Sequence, residues 1–130
     1  VGADVPVLLG GTGRSAAAFL SDSELSRCIE TQKRIGNPVC GKEELRAVVK
    51  RARSNGYYIS HSELDDAINA LGLPIFGKNG VVLGSLSIVA PSSRMSDEVT
   101  WELLPEARRS AQRISERMGY DGNMLNSKGE

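Results

Sequence analysis

Two β-rich runs, residues 67–76 and 81–90, flank Lys78-Asn79-Gly80, and this arrangement constrains the fold more than any other feature of the chain. Asn and Gly tolerate the positive φ angles of tight connections, so the runs are expected to pair as an antiparallel hairpin. Gly72-Leu73-Pro74 interrupts the first run. Tyr57-Tyr58-Ile59 adds another strand just after Asn55-Gly56, where glycine accepts the left-handed conformation that ends a helix.

Helical periodicity occupies most of the remainder. An apolar run from Val5 to Leu9 reads as a short strand, Gly10-Gly11-Thr12-Gly13 as a tight turn, and Arg14 to Leu20 as the helix that follows. Ser21 and Glu24 have capping-box spacing ahead of Leu25, Cys28 and Ile29, which recur on one helical face. Beyond the turn residues Gly36-Asn37-Pro38 and Gly41, Leu45, Val48, Val49 and Ala52 step by three and four, predicting an amphipathic helix. From Ser96, the apolar face of a long closing helix is expected at Val99, Leu103, Ala107, Ala111, Ile114 and Met118, with Pro105 marking a kink or a first turn. The order predicts an α+β domain in which an antiparallel sheet is flanked by helices. Three or four strands make a thin sheet, so the domain is expected to lack its opening strands in this chain.

The 130 residues suit one globular domain, and 16 Lys plus Arg against 16 Asp plus Glu leave no net charge. A neutral surface lacks the cationic surplus that holds a protein on phosphate backbones, so any DNA contact is expected from another segment. No apolar run reaches the roughly 18 residues of a membrane span, and Val1-Gly2-Ala3-Asp4 lacks signal-peptide character, so a cytoplasmic protein is expected. Residues 1–120 read as one domain and 121–130 as a polar tail expected to be disordered.

Chemistry concentrates at the glycine segment. Glycine permits close approach of backbone to a ligand, and the N–H groups at a helix start attract anions, which suits a carboxylate. Gly11-Thr12-Gly13-Arg14-Ser15-Ala16 also satisfies a loose dinucleotide fingerprint, leaving a nucleotide-binding enzyme fragment as an alternative. That fold next needs a parallel strand ending in an acid, whereas Asp22 to Arg34 reads as helix. A phosphate-binding P-loop fails because Leu8 takes the first glycine position and Arg14 replaces lysine. His61 is the single histidine. It lacks any serine-elbow or cysteine-protease context, and its alternation with Glu63 and Asp65 falls in solvated sequence, so neither catalysis nor zinc is expected. Cys28 and Cys40 read as ordinary reduced thiols. No cofactor is expected. Thr12, Ser60, Ser85 and Ser87 among apolar neighbours fit a small-molecule pocket better than a reaction centre, with Ser85 and Ser87 on one strand face by period two.

Four stretches, in order, carry a resemblance to the C-terminal domain of IclR-type bacterial regulators. They are Val1-Gly2 and Pro6 before Gly11-Thr12-Gly13-Arg14-Ser15 and Ala18; Ser54-Asn55-Gly56-Tyr57 with Glu63; Leu73-Pro74-Ile75-Phe76 with Asn79-Gly80; and Leu86-Ser87-Ile88 with Pro91 and Arg94. Ile114-Ser115-Glu116-Arg117-Met118-Gly119-Tyr120 closes the set. The resemblance implies a GAF-like effector domain, not an enzyme, that binds small organic or aromatic acids and self-associates as dimers or tetramers. It also implies that DNA is read by a separate helix-turn-helix domain before Val1. It assigns the effector to backbone donors at Gly11 and Thr12 and to pocket positions Ser60, Ala70, Ser87 and Val89. Relatives place an acid, a cysteine and a second serine where this chain has Ser60, Ala70 and Val89, so a larger or aromatic carboxylate is implied here. A GAF-like dimerisation module without a ligand is the remaining alternative.

Overall fold

The computed structural model describes residues 10–36, 42–61 and 67–122. The expected strand at Val5–Leu9, the residues Cys40, Glu63 and Asp65, and the tail from 123 onward lie outside them. Helices α1 (Gly10–Ala17), α2 (Asp22–Arg34) and α3 (Lys42–Asn55) precede strands β1 (Tyr58–His61), β2 (Ile68–Phe76) and β3 (Val82–Pro91), and helix α4 (Asp97–Arg117) follows. The strands form one antiparallel sheet in the order β1-β2-β3. A short 3-10 turn at Lys78–Gly80 makes the hairpin connection, with Asn79 at φ 65° and Gly80 at φ 75°. Those are the left-handed angles that Asn and Gly reach most cheaply.

Gly72-Leu73-Pro74 does not break β2, contrary to the interruption read from the sequence. β1 pairs with β2 only from Asn69 to Gly72. Pro74 thus lies where β3 alone flanks the strand, the edge setting in which a missing N–H is tolerated.

The sheet has two unlike faces. Leu71, Leu73 and Ile75 of β2 join Met95 and the α4 residues Leu104, Ala107 and Ala111 in the main core, with Ile59, Leu86 and Ile88 packed beside them. Period-two alternation turns Ala70, Gly72 and Pro74 to the other side. That side is covered by α1, which lies across all three strands and is backed by α3. Val48 and Ala52 of α3 pack with Ala18 and Tyr58, while Leu45 packs with Ala17.

Local signals produced α2 and α3 as expected. Ser21 and Glu24 form the reciprocal capping box, and Gly56, at φ 81°, ends α3. Two expectations fail. The glycine segment is the first turn of α1 and not a turn before it. Glycine is a poor helix former, but packing on the sheet outweighs propensity in so short an element. On α4 the buried stripe is Thr100, Leu104, Ala107, Ala111 and Ser115, while Val99, Ile114 and Met118 of the expected face are exposed. Polar Thr100 and Ser115 occupy the interior because each has a partner. Thr100 donates its hydroxyl to the Ser96 carbonyl at 2.8 Å, and the Ser115 hydroxyl accepts from the Phe76 N–H at 3.0 Å. Pro105 lies inside the helix on its exposed side.

Candidate functional site

The register of the sheet decides which side chains meet on its α1 face. Ser60 pairs with Ala70, and Ala70 with Val89, so these three form one row across the strands. The adjacent row is Tyr58, Gly72 and Ser87, and Ser85 opposite Pro74 extends the same face. All four pocket positions expected from the resemblance therefore share one face. The row is graded: Ser60 and Ala70 are 4% and 7% exposed, whereas Val89 is 55% exposed. It is closed at the β1 side and open at the β3 side.

Two contacts set the direction of α1 over this face. Phe19, just beyond its C-terminal end, meets Phe76 edge-on at 5.1 Å between ring centroids. Arg14, four residues into the helix, donates from Nη1 to the Tyr58 hydroxyl at 2.8 Å, and Tyr58 lies opposite Gly72. Moving from Phe19 to Arg14 thus runs back along β2 from Phe76 toward Gly72. Extended by one more turn, that direction would bring Gly10 to Gly13 toward the Ser60–Ala70–Val89 row. The first turn of a helix has four N–H groups with no intrahelical acceptor and carries a partial positive charge. Gly11 and Thr12 belong to that turn.

Arg14 and Tyr58 also stand on this face, and the sequence reading named neither as a candidate. Arg14 is 5% exposed, with its guanidinium carbon 5.6 Å from the centroid of the Tyr58 ring. Arginine keeps its charge even when buried, so a permanent cation stands on α1 beside the graded row. The available signal was its spacing of three and four from Ala17 and Ala18, both buried, which puts Arg14 on the inward face of the helix. A second arginine fixes the other end of α1. Arg53 of α3 donates from Nε to the Ala18 carbonyl at 2.8 Å and from Nη2 to the Leu20 carbonyl at 3.2 Å.

Other candidate groups do not converge on this face. His61 lies at the end of β1, exposed, with Nε2 2.6 Å from Asp97 Oδ1. Burial pushes the Cys28 thiol above its ordinary range, the direction opposite to that of a reactive thiolate. Among the described residues no three His, Cys, Asp or Glu side chains are grouped to hold a metal. A groove of about 770 Å3 between α2 and α3, lined by Leu25, Ile29, Arg46 and Lys50 among others, is separate from the graded row. The strand following the glycine segment that a dinucleotide fold requires is replaced by α2, and the described sheet is antiparallel throughout.

Residues 1–116 match the family described as bacterial transcriptional regulator IclR C-terminal. The chain is 28% identical over 123 residues to the HTH-type transcriptional regulator KipR of Bacillus subtilis, a match covering 92% of this chain and 49% of that protein. Among solved structures, Pseudomonas aeruginosa HmgR is similar at 28% identity and a TM-score of 0.79, with 95% of this chain and 49% of that chain covered. The Thermotoga maritima IclR structure is similar at 25% identity and a TM-score of 0.81, covering 92% of this chain and 50% of that one. The chain thus spans about half the length of the curated relatives it matches.

Proposed function

This chain belongs to the family of bacterial transcriptional regulator IclR C-terminal domains, and on that premise we propose that it is the part of its regulator that senses a small organic or aromatic carboxylate. The family is one of transcriptional regulators and not of enzymes, so the nucleotide-enzyme reading of the glycine segment is set aside. Among the described residues no helix is long and apolar enough to cross a membrane.

One observation supports the reading above all: Ser60, Ala70, Ser87 and Val89 share the sheet face that α1 covers, and from the Phe19–Phe76 and Arg14–Tyr58 contacts we infer that the first turn of α1 approaches that row. In the proposed complex the effector carboxylate accepts hydrogen bonds from the Gly11 and Thr12 N–H groups, where the helix end favours negative charge. Ser60 and Ser87 supply hydroxyls. Ala70 and Val89 supply apolar surface and no hydrogen-bonding side chain, so the effector's body is a hydrocarbon or aromatic group entering from the open β3 side. Binding biases self-association of the domain and hence the spacing of DNA-reading domains carried elsewhere in the regulator. Such coupling requires the effector to bind one assembly state more tightly than the other.

Calorimetric titration of the full-length regulator with a panel of acids tests the specificity. Aromatic carboxylates are expected to bind at least about tenfold more tightly than two- or three-carbon acids, the difference that about 1.4 kcal/mol of additional apolar burial supplies. Tighter binding of the short acids would overturn the assignment of Ala70 and Val89 to the effector's body.

A further inference from the structure

The outward face of α4 carries a charge order that contacts among the described residues explain only in part. Glu98, Glu102 and Glu106 recur every four residues, Arg109 follows after three, and Arg113 and Arg117 continue every four. That spacing puts all six on one stripe of the helix, and all six are exposed. Apart from exposed Glu116, which accepts a hydrogen bond from Gln112 within the helix, the stripe is acidic in its first half and basic in its second. These six charges are also symmetric, because each of the three acids has a base at the same distance on the other side of the midpoint between Ala107 and Arg108.

A helix standing alone in water gains from acid-to-base pairs four residues apart. Here the four-residue neighbours are like charges: Glu98 with Glu102, Glu102 with Glu106, Arg109 with Arg113, and Arg113 with Arg117. The helix dipole favours acids in the first turn and bases in the last, which accounts for Glu98 and Arg117. It fades within a turn and leaves the four central charges unexplained. Within the helix, Arg109 pairs with Glu106. The remaining order suits a partner with the same stripe running the opposite way.

We propose that α4 is a self-association surface on which two copies of this chain pair antiparallel about a two-fold axis at the helix midpoint. Glu98 then faces the partner's Arg117, Glu102 the partner's Arg113, and Glu106 the partner's Arg109, with each pair repeated by symmetry. The two central Glu106–Arg109 pairs merge into a four-charge cluster. Because the surface is polar, charge complementarity sets the orientation and register, and the association is weak and salt-sensitive. This surface rests on the self-association proposed above and gives it a location.

The test uses two charge-reversed variants of the chain: Glu102→Lys with Glu106→Lys, and Arg109→Glu with Arg113→Glu. Circular dichroism first checks that each is folded, and analytical ultracentrifugation then follows association at low and high salt. The unaltered chain is expected to dimerise at low ionic strength and dissociate toward monomer near 1 M NaCl. Each variant alone is expected to associate at least about tenfold more weakly, since every central pair becomes a like-charge contact. Mixed in equal amounts, the two variants present complementary stripes and are expected to recover association as a heterodimer. Dimers that persist unchanged in both variants, or a mixture that stays monomeric, would overturn the α4 surface while leaving self-association through another face intact. An unaltered chain that is monomeric even at low salt would remove both.

Discussion

Replacing Leu71 with alanine is expected to lower folding stability by about 3–5 kcal/mol, the upper part of the range for a buried leucine. Leu71 is fully buried at the centre of β2. It pairs with Ile59 on one side and Ile88 on the other, and shares its core cluster with Met95 and Leu104. Paired strands on both flanks and α4 above prevent the site from collapsing around a smaller side chain. The loss therefore combines the transfer term with that of a residual cavity. A domain of this size has about 5–15 kcal/mol in all, so the variant should unfold at a much lower urea concentration. A midpoint shift equivalent to less than about 1 kcal/mol would mean that the sheet–α4 interface is not the main core.

Replacing Arg53 with methionine is expected to cost about 2–3 kcal/mol, less than two full charge-assisted hydrogen bonds because the site is only part-buried and one bond is long. Methionine retains the hydrocarbon packing but leaves the carbonyls of Ala18 and Leu20 without this donor. Arg53→Lys is expected to recover only part of the loss, because a single ammonium cannot reproduce the guanidinium fork across two carbonyls. The functional consequence separates this variant from Leu71→Ala. Freed at its C-terminal end, α1 shifts on the sheet, and effector affinity should fall even at temperatures where the domain remains folded. Denaturant titration and calorimetric binding on the same sample check both effects, and full affinity in a folded Arg53→Met protein would show that the clamp does not position the site.

Features specified by neighbouring residues were legible in the sequence. Ser21 and Glu24 announce the start of α2, Asn55-Gly56 the end of α3, and Lys78-Asn79-Gly80 the hairpin, because each depends on local hydrogen bonding and permitted φ. Features that depend on packing were not. Gly10 to Gly13 resemble a turn by propensity and become helix when α1 lies on the sheet. The apolar residues of α4 misplace its buried stripe because Thr100 and Ser115 find acceptor and donor partners inside, and Val99 and Met118 remain outside. The pocket positions were named from a family resemblance. Their common face depends on the hairpin register, which includes an irregularity between Ile75 and Phe76 that composition does not signal. Arg14 escaped notice because a charged residue reads as surface unless its spacing from Ala17 and Ala18 is weighed.

The proposed sensor site depends most on the backbone donors at the start of α1. Gly11→Pro isolates them, because proline removes the Gly11 N–H yet is accommodated in a first helical turn, where that N–H has no intrahelical partner. Calorimetric titration of full-length wild-type and Gly11→Pro proteins with the tightest-binding carboxylate from the panel is the direct measurement, with thermal unfolding confirming that both are folded. Loss of one charge-assisted hydrogen bond is expected to weaken binding by roughly 10- to 100-fold, with little change in unfolding temperature. Equal affinities in the two folded proteins would contradict a carboxylate held by the first turn of α1.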